Sequence, residues 1–125
     1  MAGVAQRTVL VVDDEPSIRM LCRVNLELEG YEVREATNLD EARAALSSDG
    51  VDVVLLDVHL AHEDGRELLA EIRRDRPAVA VALFTGSYEI AEEEPDAGDA
   101  LIPKPFTIDE LIATVGRLAD GRAER

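Results

Sequence analysis

The chain has 125 residues, a single cysteine and a formal net charge of −14, with 46% apolar and 32% charged residues. This is the size and composition of one folded domain with a continuous core, too short for two domains and too apolar for a disordered chain. So negative a field repels phosphodiester backbones and anionic membranes, no run approaches a membrane span, and acids break the apolar start, so we expect a cytoplasmic protein that binds neither nucleic acid nor membrane.

Apolar runs alternate with segments of helical period. TVLVVD (8–13) reads as a strand, and the first helix opens near Pro16, with Asp14 or Glu15 at its cap. That helix is expected to turn Ile18, Leu21, Cys22 and Leu28 inward and to stop at Gly30; Cys22 has no Cys or His companion at ligand spacing and reads as core. YEVREA (31–36) alternates as an edge strand does, with Tyr31 a packing residue. A second helix opens at Asn38, carries Leu39, Ala42, Ala45 and Leu46, and ends before Gly50. VDVVLLD (51–57) and VAVALFT (79–85) are apolar throughout, the pattern of parallel strands covered on both faces. In the loop VHLAHED between them, His59 and His62 lack a spacing with ligand logic and read as solvated.

A third helix follows Gly65 with Leu68, Leu69 and Ile72 on one face. The fourth, in SYEIAEEEPDAG, is weak: Tyr88 and Ile90 precede a solvated run, Glu92, Glu93 and Glu94, and a proline, leaving two turns at most. A short strand ALI (100–102) precedes Phe106, which anchors a last helix bearing Ile108, Leu111, Ile112, Val115 and Leu118. Five strands alternating with five helices predict an α/β domain over 1–125, its core about 7–119 and its tail 120–125 polar.

In an open parallel sheet, ligands bind beyond the carboxyl ends of the strands. Those ends carry Asp13 and Asp14, then Asp57, Thr85 and Lys104. Three carboxylates together repel one another, and a hard divalent cation such as Mg²⁺ relieves that repulsion. A metal-bound carboxylate, a hydroxyl and an ammonium make a site for a phosphoryl group, with a carboxylate as nucleophile.

On these residues the chain resembles, over nearly its whole length, the receiver domains of two-component response regulators. The family's acidic pair matches Asp13 and Asp14, its phosphoacceptor matches Asp57 in VVLLDVHL, its Thr or Ser matches Thr85 in LFTGS, and its Lys-Pro matches Lys104 and Pro105 in IPKPF. The resemblance implies a flavodoxin-like (βα)5 fold, a doubly wound five-stranded sheet in order 2-1-3-4-5, here with a shortened fourth helix. It implies phosphotransfer to Asp57 from a sensor histidine kinase or histidine phosphotransfer protein. Mg²⁺ would be held by Asp14, Asp57 and the backbone carbonyl of His59, with Asp13 acting through water or one step further back. Lys104 would pair with the phosphoryl oxygens, Thr85 would swing in to hydrogen-bond one of them, and the Lys104–Pro105 peptide would be cis. His59 and Ser87 would flank the approach of water. Such a domain catalyses only its own phosphorylation and dephosphorylation and switches a downstream protein partner.

Three positions depart from the family pattern. Leu101 stands where an aromatic usually follows the threonine, Ala61 replaces a proline, and the stretch from Thr85 to Lys104 is about one helical turn short. With that face truncated and acidic, we expect a monomer or weak dimer and a stand-alone receiver, although DGRAER reads equally as the start of a linker. Two other classes compete: a degenerate receiver acting as an unphosphorylated interaction module, and a flavin or nucleotide binder of the same topology. The latter calls for a phosphate loop after the first strand, where this chain has DDEPS.

Overall fold

The computed structural model describes residues 6–48, 50–86 and 98–123. The apolar runs become strands: β1 (Thr8–Val12), β2 (Glu32–Ala36), β3 (Val53–Asp57), β6 (Ala80–Thr85) and β7 (Ala100–Pro103) form one sheet in the order β2-β1-β3-β6-β7, parallel at every pairing. Counting only these five, the order is the expected 2-1-3-4-5. Between β3 and β6 lies a hairpin absent from the sequence reading, β4 (His59–Leu60) paired antiparallel with β5 (Glu63–Asp64). Four helices cover the sheet among the described residues: α1 (Pro16–Leu28), α2 (Leu39–Ser47), α3 (Arg66–Asp75) and α4 (Ile108–Ala123). The weak helix expected around Tyr88, Ile90 and the three glutamates lies outside the described residues, as does Ser87.

Period-two alternation splits the central strands between two cores. Leu10, Val12 and Leu56 point to the layer of α2 and α3, where Leu39, Leu68 and Ile72 meet them. Val9, Val11 and Leu55 point to the layer of α1 and α4, against Cys22, Leu26 and Leu111. Each such side chain contributes about 1.5–3 kcal/mol when fully buried. β2 is the partly exposed edge strand that its alternation predicts.

α1 corrects one expectation. Cys22 and Leu26 are its buried residues, whereas Leu21 is 37% and Leu28 78% exposed, in an outer row with Met20 and Val24. Apolar residues occur on two sides of this helix, so hydrophobicity alone leaves its rotation open; packing against β1 and α4 selects the Cys22–Leu26 side. The cap also differs. Glu15 occupies the capping position but its side chain accepts no helix N–H; Asp13 Oδ1 instead accepts the Glu15 N–H at 2.9 Å. Gly30, at φ 95°, lets the chain reverse after α1, a conformation L side chains resist. α2 starts as expected, with the Asn38 side chain accepting the Glu41 N–H at 2.8 Å.

Candidate functional site

The parallel ladders set the strand ends level, Val12 beside Leu56 and Asp57 beside Phe84. At that edge Asp13, Asp14 and Asp57 each offer a carboxylate oxygen, all within 4.8 Å of one another. Asp13 is fully buried, and both Asp57 and Thr85 are buried. Lys104 reaches in from the loop after β7: its Nζ donates to Asp13 Oδ2 at 2.8 Å and to Asp57 Oδ2 at 3.3 Å, and lies 3.7 Å from Glu15 Oε1. The Lys104–Pro105 peptide is cis. Lys104 Nζ also stands 5.4 Å from the ring centroid of Phe84, which stacks on Phe106 at 5.4 Å.

Each acid is held differently. Both oxygens of Asp13 are engaged, one by Lys104 and the other by the Glu15 N–H. Asp57 Oδ1 accepts the His59 N–H at 2.9 Å. Asp14, half-exposed, has no hydrogen-bond or ion-pair partner among the described residues. Burial pushes the Asp57 carboxyl above the usual carboxylate range, opposed by the His59 N–H and the nearby ammonium. Burial pulls the Lys104 ammonium down, but its hydrogen bond to Asp13 and the charges of Asp13 and Asp57 outweigh that and leave it raised. The Cys22 thiol is pushed up to about 12, by burial first and by the Asp13 charge second, and is inert at neutral pH.

The backbone of Thr85 joins the site by accepting the Lys104 N–H at 2.7 Å. His59 and His62 are exposed on the hairpin, and neither belongs to a metal-ligand group; among the described residues the only such group is the three aspartates. Leu101 is half-buried against the core beneath α2 and α3. Two contributors escape sequence reading. Arg19 Nη1 donates to the Asp13 carbonyl at 2.7 Å while its Nε pairs with Glu35 at 3.4 Å, steadying the backbone of the acidic pair. Gly65 crosses so close to β3 that a Cβ there would collide with the Asp57 carbonyl oxygen and come within 3.1 Å of Val58 Cα. Gly65→Ala is therefore expected to cost about 2 kcal/mol in urea unfolding, because the backbone it strikes cannot yield as a side-chain tip can.

A buried aspartate, two acidic neighbours and a lysine thus share the carboxyl edge of the sheet, where open parallel sheets bind their ligands. Residues 9–116 match the family model described as the response regulator receiver domain, and the chain belongs to that family, a signalling component of two-component systems. Among curated relatives, the phosphate regulon transcriptional regulatory protein PhoB of Pseudomonas aeruginosa is 36% identical over an alignment 112 residues long that covers 86% of this chain and 49% of PhoB. The chain spans about half the length of the curated relatives it matches. Among solved structures, a CheY-like receiver domain protein from Methanospirillum hungatei superposes with a TM-score of 0.87 at 30% identity, covering 96% of this chain and 98% of that one. The response regulator TrrA of Thermotoga maritima, solved in complex with Mg²⁺ and BeF, gives 0.82 at 35% identity, over 90% of this chain and 99% of that one. No helix among the described residues is long and apolar enough to cross a membrane.

Proposed function

We propose that this chain accepts a phosphoryl group on Asp57 from a histidine kinase or histidine phosphotransfer protein, in the cytoplasm, and passes the change to a downstream protein. The supporting observation is the Asp57 carboxylate itself: buried at a strand end, one oxygen held by the His59 N–H and the other 3.3 Å from Lys104. Residues 7–119 form the working body in this reading, and the polar ending begins within the last turn of α4, which continues to Ala123. The partner of this domain is a protein rather than nucleic acid, because a net charge of −14 opposes a phosphate backbone.

The donor set suits Mg²⁺, since three carboxylates face one ammonium and all offer hard oxygens. Asp14 and Asp57 would hold the ion with the His59 carbonyl. Asp13, both of whose oxygens are engaged, would act through water. When bound, Mg²⁺ offsets charge on the transferring phosphoryl group. The protein's own part is positional. An Asp57 oxygen attacks phosphorus as the nitrogen–phosphorus bond of the donor breaks and its electron pair returns to the imidazole. Lys104 lies close enough to transfer its weaker contact from Asp57 to a phosphoryl oxygen while keeping its 2.8 Å bond to Asp13, and the Thr85 hydroxyl donates to another. Hydrolysis by water returns the free carboxylate, so the domain catalyses only its own phosphorylation and dephosphorylation.

Incubation with Mg²⁺ and a small-molecule phosphodonor tests this by intact mass: wild type should gain one phosphoryl group and Asp57→Asn none. Equal behaviour of the two proteins would leave the unphosphorylated interaction module as the better reading.

A further inference from the structure

We infer that Glu63 couples the phosphoacceptor loop to the amino end of α2 and so makes α2 an element that senses the state of Asp57. The inference rests on the phosphoacceptor reading above. It follows from a chain of contacts that begins at the nucleophile. Asp57 Oδ1 accepts the N–H of His59, the first residue of the hairpin. His59 and Leu60 pair with Asp64 and Glu63 across it, and the Gly65 N–H closes the hairpin back on the Val58 carbonyl at 2.8 Å. With no room for a Cβ at Gly65, the hairpin lies flush against the strand that carries Asp57.

From this hairpin Glu63 reaches across 24 residues of sequence, and its Oε1 accepts the Leu39 N–H at 3.0 Å. Leu39 is the first residue of α2, and its N–H is one of the donors that a helix cannot satisfy internally. Asn38 serves a different one, the Glu41 N–H, so the two capping contacts do not compete. A carboxylate at this end also meets the positive pole of the helix. α2 is in turn clamped to α3 by Arg43, whose Nε and Nη2 donate to Glu71 at 2.9 and 2.7 Å. Conversion of the Asp57 carboxylate to an acyl phosphate changes the charge and the acceptor strength facing the His59 N–H; the hairpin moves with His59, and Glu63 carries the displacement to α2.

Backbone amide NMR with Mg²⁺ and beryllofluoride tests the coupling. In wild type the His59 and Lys104 amides and those of Leu39, Glu41 and Ala42 should all shift. In Glu63→Ala the site amides should still shift, while the α2 response falls by about threefold or more. Glu63→Met, which keeps the bulk without the acceptor, serves if the alanine variant does not fold. Glu63→Gln, whose amide oxygen can still accept from Leu39, should keep the α2 response, a rescue that a merely structural role does not predict. An undiminished α2 response in the alanine or methionine variant overturns the coupling, as does a wild type whose site amides shift while α2 stays silent. A wild type with no shift at the site overturns the phosphoacceptor reading and this inference together.

Discussion

Lys104→Met is expected to destabilise the metal-free protein by about 3–5 kcal/mol, measured by denaturant unfolding in a chelator at neutral pH. The ammonium is 20% exposed and bonded to Asp13, which is not exposed at all, with Asp57 on its other side. Removing it leaves two buried carboxylates close together with no cation between them, and an uncompensated buried charge costs far more than the net worth of the pair. Pairing the change with Asp13→Asn should recover much of the loss; strictly additive effects would show that the contact carries no such energy. Alkaline pH gives a second reading. The Lys104 ammonium is raised in the folded state, so its contribution is fully present below the lysine's ordinary value of 10.5 and is lost as pH climbs through the higher folded value. Lys104→Met should lack that alkaline loss, and an identical pH profile would contradict this assignment of the charge.

Asp57→Asn should move stability the other way. Burial raises the Asp57 carboxyl, so the folded protein holds that proton more tightly than the unfolded chain does. Between the ordinary value of 3.8 and the higher folded one, stability therefore falls as pH rises, and the deficit persists at neutral pH. Asparagine removes the charge yet keeps an oxygen for the His59 N–H, so the melting temperature in chelator should rise by about 3 °C. Mg²⁺ should then stabilise wild type, by about 1.4 kcal/mol at ten times its Kd, and stabilise the asparagine variant less. A melting temperature for Asp57→Asn at or below wild type in chelator would mean that the buried carboxylate is not under electrostatic strain.

The site was legible because its residues hang from the elements that sequence reads best. Uniform apolar runs such as VVLL announce covered strands, and the first polar residue after each marks the carboxyl edge of the sheet. Asp13, Asp57, Thr85 and Lys104 fall there without further assumption. What stayed hidden depends on contacts between distant segments. Leu26 and Leu28 are indistinguishable by hydrophobicity, and the fold alone buries one and exposes the other. The hairpin has only two residues per strand, too few for any periodicity. Gly65 preceded a helical pattern and looked like punctuation, although its purpose is the lack of a side chain against the Asp57 carbonyl. Glu63, in a polar loop, gave no sign that it would cap a helix begun 24 residues earlier.

The stacked Phe84 and Phe106 have a consequence for observing this protein at work. The chain contains no tryptophan, and the ring of Phe84 lies in the field of the Lys104 ammonium. The site therefore has no indole whose fluorescence an arriving ligand could quench. Among the described residues the rings beside that ammonium are a phenylalanine pair, so a change in where the lysine's charge rests is expected to show in the near-ultraviolet fine structure of two weakly absorbing rings.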